Sequence, residues 1–197
     1  MAGLLPAGAP LPADPVDEFV ERAVRRAVSL AEKTGGLGAG SSKLYFAHET
    51  ASGRLVAMQR LASVSGAYHL DEASHLCVHP KHGQWCALRA LVLLDADPAE
   101  VGVDAASPPE QMALPEAVAR ASGANRASVL KNAFDAAMAG SDGGWLALRE
   151  AVSPGHPARY PDGAIAYFYR RDSAALQRCI NAKRAGRPRD GVMRAAD

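Results

Sequence analysis

Imidazole and thiol groups are concentrated in one short stretch of the chain. Four of the six histidines and two of the three cysteines lie between residues 69 and 86, in the sequence HLDEASHLCVHPKHGQWC. Both groups bind transition metals and act as acids, bases or nucleophiles near neutral pH. The same stretch is predicted to hold the end of a strand and the start of an apolar helix, a junction where many folds bind ligands. We therefore expect the chemistry of the protein to lie here.

One interpretation of this stretch is a metal site. A strand over 74–79 would place His75, Cys77 and His79 on one face, because side chains alternate along a strand, and this spacing permits zinc. The chain lacks the paired C-x2-C and H-x3-5-H spacings that are typical of zinc knuckles. Zinc is therefore disfavoured, and histidines that face solvent or are hydrogen-bonded internally are the alternative.

A second interpretation is a nucleophilic thiol. Cys86 falls in the first turn of the predicted apolar helix, where the helix dipole and nearby His82 would both lower the pKa of its thiol. His156, in a loop far along the chain, is the candidate general base, with Asp162 or Asp172 to orient it. These residues would form a cysteine-dependent hydrolase or deamidase. The alternative is that Cys86 is a small buried apolar residue.

Hydrophobic periodicity predicts an α+β fold with a small, mainly antiparallel sheet, a central buried helix and an alanine-rich helical layer. An amphipathic helix is expected over 15–34, between Asp14 as its cap and the glycines that follow it. The nearly continuous apolar run at 84–94 predicts the buried helix. Strands are predicted at 44–49, 54–64, 74–79 and 164–170, and further helices at 109–121, 125–139, 144–152 and 173–184.

The chain is long enough for one domain with a substantial core. We expect this domain to span 15–185, with 109–152 as a helical elaboration, between a disordered tail at 1–14 and a basic disordered tail at 186–197. The glycine-rich 35–42 follows a helix and precedes a strand, which favours a linker over a phosphate-binding loop.

Composition limits the classes of partner. The formal net charge is +1, so no overall field attracts nucleic acid or a membrane surface. The proline-rich start is not typical of a signal peptide, and an odd number of cysteines favours reduced thiols. We expect a cytoplasmic protein without a membrane span, although export by a signal-less route is compatible with the sequence. The alanine-rich helices over 109–152 also suggest a non-catalytic adaptor that binds a protein partner.

Two segments resemble the centre of the GNAT N-acyltransferase superfamily. They are LYFAHETASGRLVAMQRLASV and ASHLCVHPKHGQWCALRALVLLDA, within about residues 43–96. In that family a strand ending in Val-x-Pro is followed by a glycine-rich loop that opens a helix carrying Arg-Ala-Leu. Here Leu76, Val78, His79, Pro80 and His82 match the strand end and turn, and Arg89, Ala90 and Leu91 match the helix. Cys86 and Leu88 stand where the family has glycines.

The resemblance implies an enzyme that moves an acyl group from acyl-CoA to an amine on a small molecule or a protein. The strand end and the loop over 81–88 would hold the coenzyme. Glu72, just before the strand, would be the general base that deprotonates the amine. The residues that the resemblance assigns to cofactor binding are Val78, His79, His82, Gly83, Gln84 and Arg89.

Overall fold

The structure is a computed structural model that describes residues 11–35, 40–102, 109–121 and 123–185. Most of the predicted N-terminal tail, the centre of the predicted glycine-rich linker and the predicted basic tail from 186 onward lie outside the described residues.

The described part of the chain contains seven helices and four short strands, and the predicted α+β class is confirmed. The helices are α1 Pro15–Thr34, α2 Met58–Val64, α3 Glu116–Ala121, α4 Arg126–Met138, α5 Gly144–Val152, α6 Asp162–Arg170 and α7 Ser173–Ala185. The strands are β1 Ser42–Phe46, β2 His69–Asp71, β3 Leu76–Val78 and β4 Ala90–Leu94.

The strands form two separate antiparallel pairs. β1 pairs with β4, so that Ser42 faces Leu94 and Phe46 faces Ala90. β2 and β3 form a tight hairpin in which Asp71 faces Leu76. The predicted hairpin between 44–49 and 54–64 is therefore wrong, because the partner of the first strand lies more than forty residues away.

Residues 54–64 do not form a strand. Helix α2 occupies Met58–Val64, and the residues just before it belong to no helix or strand. Helix α2 begins with Met58, Gln59 and Arg60, which are strong helix formers. The strand was predicted instead from the hydrophobic pattern of the whole segment 54–64. Intrinsic propensity was the better guide here.

The predicted central helix at 84–94 and the predicted strand at 164–170 are also wrong. Residues 84–89 are irregular and 90–94 form β4, whereas residues 164–170 lie in α6. Both segments are short and continuously apolar, and such runs fit a helix and a strand equally well. Pro161 in extended conformation and Asp162 at the first helical position start α6, and Arg171, with φ of 53°, ends it.

The other helices confirm the sequence pattern. Helix α1 spans 15–34 as predicted, with Pro15 at its start and Asp17 and Glu18 in its first turn. The alanine-rich helices are present as α3, α4 and α5, but α3 begins at Glu116, and the predicted helical residues 109–115 are irregular. Helix α7 follows the predicted 173–184 closely. These segments combine a helical period with clear start signals.

The hydrophobic core joins the β2–β3 hairpin to the alanine-rich helices. Its central side chains come from β3, α3, α4 and α5, and the two residues of β3 lie at its centre. The alanine-rich helices therefore pack against β3, which lies within the histidine-rich stretch. A protein partner that binds these helices remains a prediction. The buried cluster consists of Leu76, Val78, Val118, Leu130, Leu148 and Val152.

Candidate functional site

A tight turn follows β3 and fixes the centre of the histidine-rich stretch. The backbone groups of His79 and Gly83 exchange two hydrogen bonds of 2.8 Å, and the N–H of Trp85 donates to the carbonyl of His82 at 3.0 Å. Gly83 has φ of 56°, in the left-handed region that favours glycine. Because the N–H groups of Gly83 and Trp85 donate within the turn, they are not free to bind a phosphate.

Three imidazoles gather on this turn, and we call His79, His82 and His156 the histidine cluster. The rings of His79 and His82 stack with their centroids 4.8 Å apart, and Tyr68 contacts His79 edge-on at 5.2 Å. His156 packs directly on Gly83, since a Cβ atom there would lie 2.9 Å from its Nε2. The structure thus brings His156 from a distant loop to the predicted stretch.

Backbone contacts fix the tautomer of two rings in the cluster. The Nδ1 of His79 accepts hydrogen bonds from the N–H groups of Lys81 and His82, and the Nδ1 of His156 accepts one from Ala158 at 3.0 Å. When neutral, each ring therefore carries its proton on Nε2. Burial, and then the charge of His82, lower the pKa of both groups. The Nδ1 of His156 is thus occupied by a backbone N–H, and the role of this ring as a general base stays a prediction.

The helix that was predicted to activate Cys86 is absent, and the nucleophilic role of this thiol stays a prediction. The Sγ of Cys86 donates to the carbonyl of Gly83 at 3.6 Å, and no helix begins at this position. Burial raises the pKa of the Cys86 thiol, and the neighbouring Arg149 only partly opposes this effect. The predicted orienting acids are engaged elsewhere, Asp162 by Arg159 at 3.0 Å and Asp172 by the N–H of Ala175 at 2.9 Å.

The three candidate metal ligands do not share one strand face. His75 precedes β3 with φ of 54°, and its ring packs on Phe134 with the centroids 4.5 Å apart. Cys77 is buried and donates to the carbonyl of Gln59 at 3.4 Å, and burial raises its pKa to about 11. Within residues 11–35, 40–102, 109–121 and 123–185, no group of three or more His, Cys, Asp or Glu residues could hold a metal ion.

Several residues that the resemblance assigns to acyl-CoA have internal roles instead. Val78 is fully buried in the core, and the Nε2 of Gln84 donates to the carbonyl of Arg149. Arg89 forms an ion pair with Asp17 at 3.2 Å. The expected helix after the 81–88 loop is absent. This loop therefore lacks the helix N-terminus that binds pyrophosphate.

A cleft lined by aromatic and arginine side chains lies beside this loop. A cavity of about 510 Å³ is lined by residues of α5, α6 and the glycine-rich turn before α5. Two of its aromatic rings are substantially exposed, Trp145 by 46% and Phe168 by 40%. Asp142 is the acidic residue on its wall. We name this the arginine–aromatic cleft and define it by Trp145, Arg149, Phe168, Tyr169 and Arg171.

Arg149 links the cleft to the histidine-rich stretch. Its Nη1 donates to the carbonyls of Gln84 and Cys86, the latter at 3.5 Å. A smaller cavity of about 250 Å³ shares Leu76 and Arg149 with the cleft and contains Cys77 and Cys86 in its wall. The sequence reasoning missed the cleft because its residues come from two helices whose packing no local pattern reveals.

Glu72 lies in a different cavity. This third cavity, of about 560 Å³, is lined by β2, the residues after it and 111–114, and it shares no lining residue with the cleft. Its wall includes the Asp71–Arg126 ion pair at 2.6 Å. Burial by itself would raise the pKa of Asp71, but hydrogen bonds from Arg126 and Ser74 outweigh it and lower that pKa. The structure therefore does not bring Glu72 together with Cys86 or His156.

Comparison of the chain with protein-family models, with curated proteins and with solved structures finds no match. None of the described helices is long and apolar enough to cross a membrane. The fold and its cavities define a small α+β protein with a basic, aromatic cleft beside a thiol-lined cavity.

Proposed function

We propose that the protein binds an acyl-CoA in the arginine–aromatic cleft and transfers its acyl group to an amine on a small molecule or a protein. The observation that carries the proposal is the presence of exposed aromatic rings and two arginines around one cavity of about 510 Å³. Aromatic faces stack on planar rings such as adenine, and guanidinium groups bind phosphates. The reaction class comes from the resemblance over residues 43–96.

Both arginines of the cleft have a geometry that suits an anionic ligand. Arg171 is exposed and forms no ion pair with any described residue. Arg149 is half-buried and held in place by the carbonyls of Gln84 and Cys86, so it is oriented before a ligand arrives. The cavity that shares Arg149 with the cleft is smaller, at about 250 Å³, and would take the thioester arm of the ligand.

This binding site differs from the one that the resemblance implies. The phosphate contacts come from Arg149 and Arg171 instead of backbone N–H groups in the 81–88 loop, where the turn engages two of those groups. In this proposal the protein works in the cytoplasm, where its three free cysteines stay reduced.

Tryptophan fluorescence tests the binding step. The chain has two tryptophans, of which Trp85 is 3% exposed and Trp145 lines the cleft. Acetyl-CoA should therefore change the emission of the wild type and of Trp85→Phe, and this change should disappear in Trp145→Phe. Saturation at one hundred times Kd should also stabilise the fold by about 2.7 kcal/mol.

A pair of arginine variants tests the phosphate contact. Arg171→Gln should raise the Kd for acetyl-CoA about tenfold, because it removes one charge-assisted hydrogen-bonding group. Arg170→Gln is the matched control, since Arg170 is exposed, adjacent and outside the cleft lining. Absence of both a fluorescence change and a thermal shift at millimolar acetyl-CoA would overturn the proposal.

A further inference from the structure

The third cavity has a chemistry of its own, separate from that of the cleft. Its lining combines polar and charged side chains with the apolar Leu70, Met112 and Leu114. Its volume of about 560 Å³ lies within the range of small-molecule sites. Such a mixture of surfaces suits a ligand with one polar end and one apolar end.

His69 is part of the lining of this cavity. Its Nδ1 lies 3.0 Å from the carbonyl oxygen of Met112. Because a carbonyl only accepts, Nδ1 must carry the proton, and the Nε2 of the neutral ring has its lone pair free. This tautomer is opposite to that of His79 and His156, whose Nδ1 atoms accept from backbone N–H groups. His69 is thus the imidazole whose fixed tautomer suits contact with a donor on a ligand.

The charges in the wall favour a cation. Asp71 and Arg126 neutralise each other in their buried ion pair at 2.6 Å. Glu72 is exposed at the same cavity and forms no ion pair within the described part of the chain. The carboxylates of Asp71 and Glu72 and the guanidinium of Arg126 therefore sum to one negative charge.

We propose that this cavity binds a primary amine that carries an apolar group. The ammonium donates to the Glu72 carboxylate and to the Nε2 of His69, and the apolar group contacts Leu70, Met112 and Leu114. The inference goes beyond the proposed function and does not depend on it, since the cavity shares no lining residue with the arginine–aromatic cleft.

Two probes of matched size and opposite charge test the inference without acyl-CoA. The amine 2-phenylethylamine should bind in calorimetry and should shift the ring resonances of His69 in NMR spectra, while those of His82 stay in place. The carboxylate 3-phenylpropionate should not bind. Equal or tighter binding of the carboxylate, or no binding of the amine, would overturn the inference.

A matched pair of acidic variants locates the site. Glu72→Gln should weaken binding of 2-phenylethylamine about fivefold, because it removes an exposed charge partner. Glu110→Gln is the control, since Glu110 is exposed and next to the lining residue Gln111 but is itself outside the cavity lining. Both positions are exposed, and a melting temperature measured for each variant confirms that it is folded. Equal affinities for the two variants would contradict the assignment of Glu72.

Discussion

Replacement of Gly83 by alanine tests the central feature of the histidine cluster, the packing of His156 on the turn. Gly83 has φ of 56°, a conformation that costs an L-residue about 1–2 kcal/mol. The new Cβ would also lie 2.9 Å from Nε2 and 3.0 Å from Cδ2 of His156. This contact is too short, and overpacking of this kind costs about 1–3 kcal/mol. The total destabilisation should therefore be about 2–5 kcal/mol.

A second glycine separates the two costs. Gly53 has φ of 78°, and a Cβ atom there would have no neighbour within 4 Å, so Gly53→Ala should cost only the conformational part. Urea unfolding of both variants gives the two free energies of unfolding, and their difference measures the contact with His156. In a His156→Ala background, Gly83→Ala should cost no more than Gly53→Ala. The reasoning is refuted if the two alanine variants are equally stable when His156 is present.

The remaining predictions concern the pKa values of the cluster and of the thiol. His79 and His156 have lowered pKa values, so their contribution to stability is present above about pH 6.5 and is lost as the pH falls. His82→Gln removes a positive charge beside these two rings, so NMR titration should show that the pKa values of His79 and His156 rise. Urea unfolding of the variant should show a smaller loss of stability at pH 5. Unchanged pKa values would contradict this prediction. Because burial raises the pKa of the Cys86 thiol, iodoacetamide at pH 7 should alkylate Cys86 more slowly than the exposed Cys179. Mass spectrometry measures both rates. Faster labelling of Cys86 would support a nucleophilic thiol instead.

Local signals in the sequence determined most of the helices. Helix α1 could be predicted to its ends, because the signals at each end are local. Pro15 and the acidic first turn mark its start, and the glycines after Thr34 mark its end. The alanine-rich helices followed from composition and breaks at glycine. The concentration of histidine and cysteine between 69 and 86 was also visible in the sequence and indicated where to look for unusual contacts.

Tertiary structure decided the elements whose local pattern was ambiguous. Residues 90–94 and 164–170 are both short apolar runs, yet one is a strand and the other a helix. The strand forms because β1 offers a pairing edge, and that partner lies far away in the chain. Periodicity within a run contains no information about such a partner.

The chemical state of each functional side chain was likewise set by distant contacts. The imidazoles of His69 and His156 have opposite tautomers because one faces a backbone carbonyl and the other a backbone N–H. Cys86 was predicted to be acidic from an expected helix dipole, but the irregular backbone removes the dipole and burial raises the pKa. Residue types and spacing thus determined which imidazole and thiol groups the chain carries. Folding decided which atoms surround each group, and the burial and hydrogen bonds that result set its tautomer and shift its pKa.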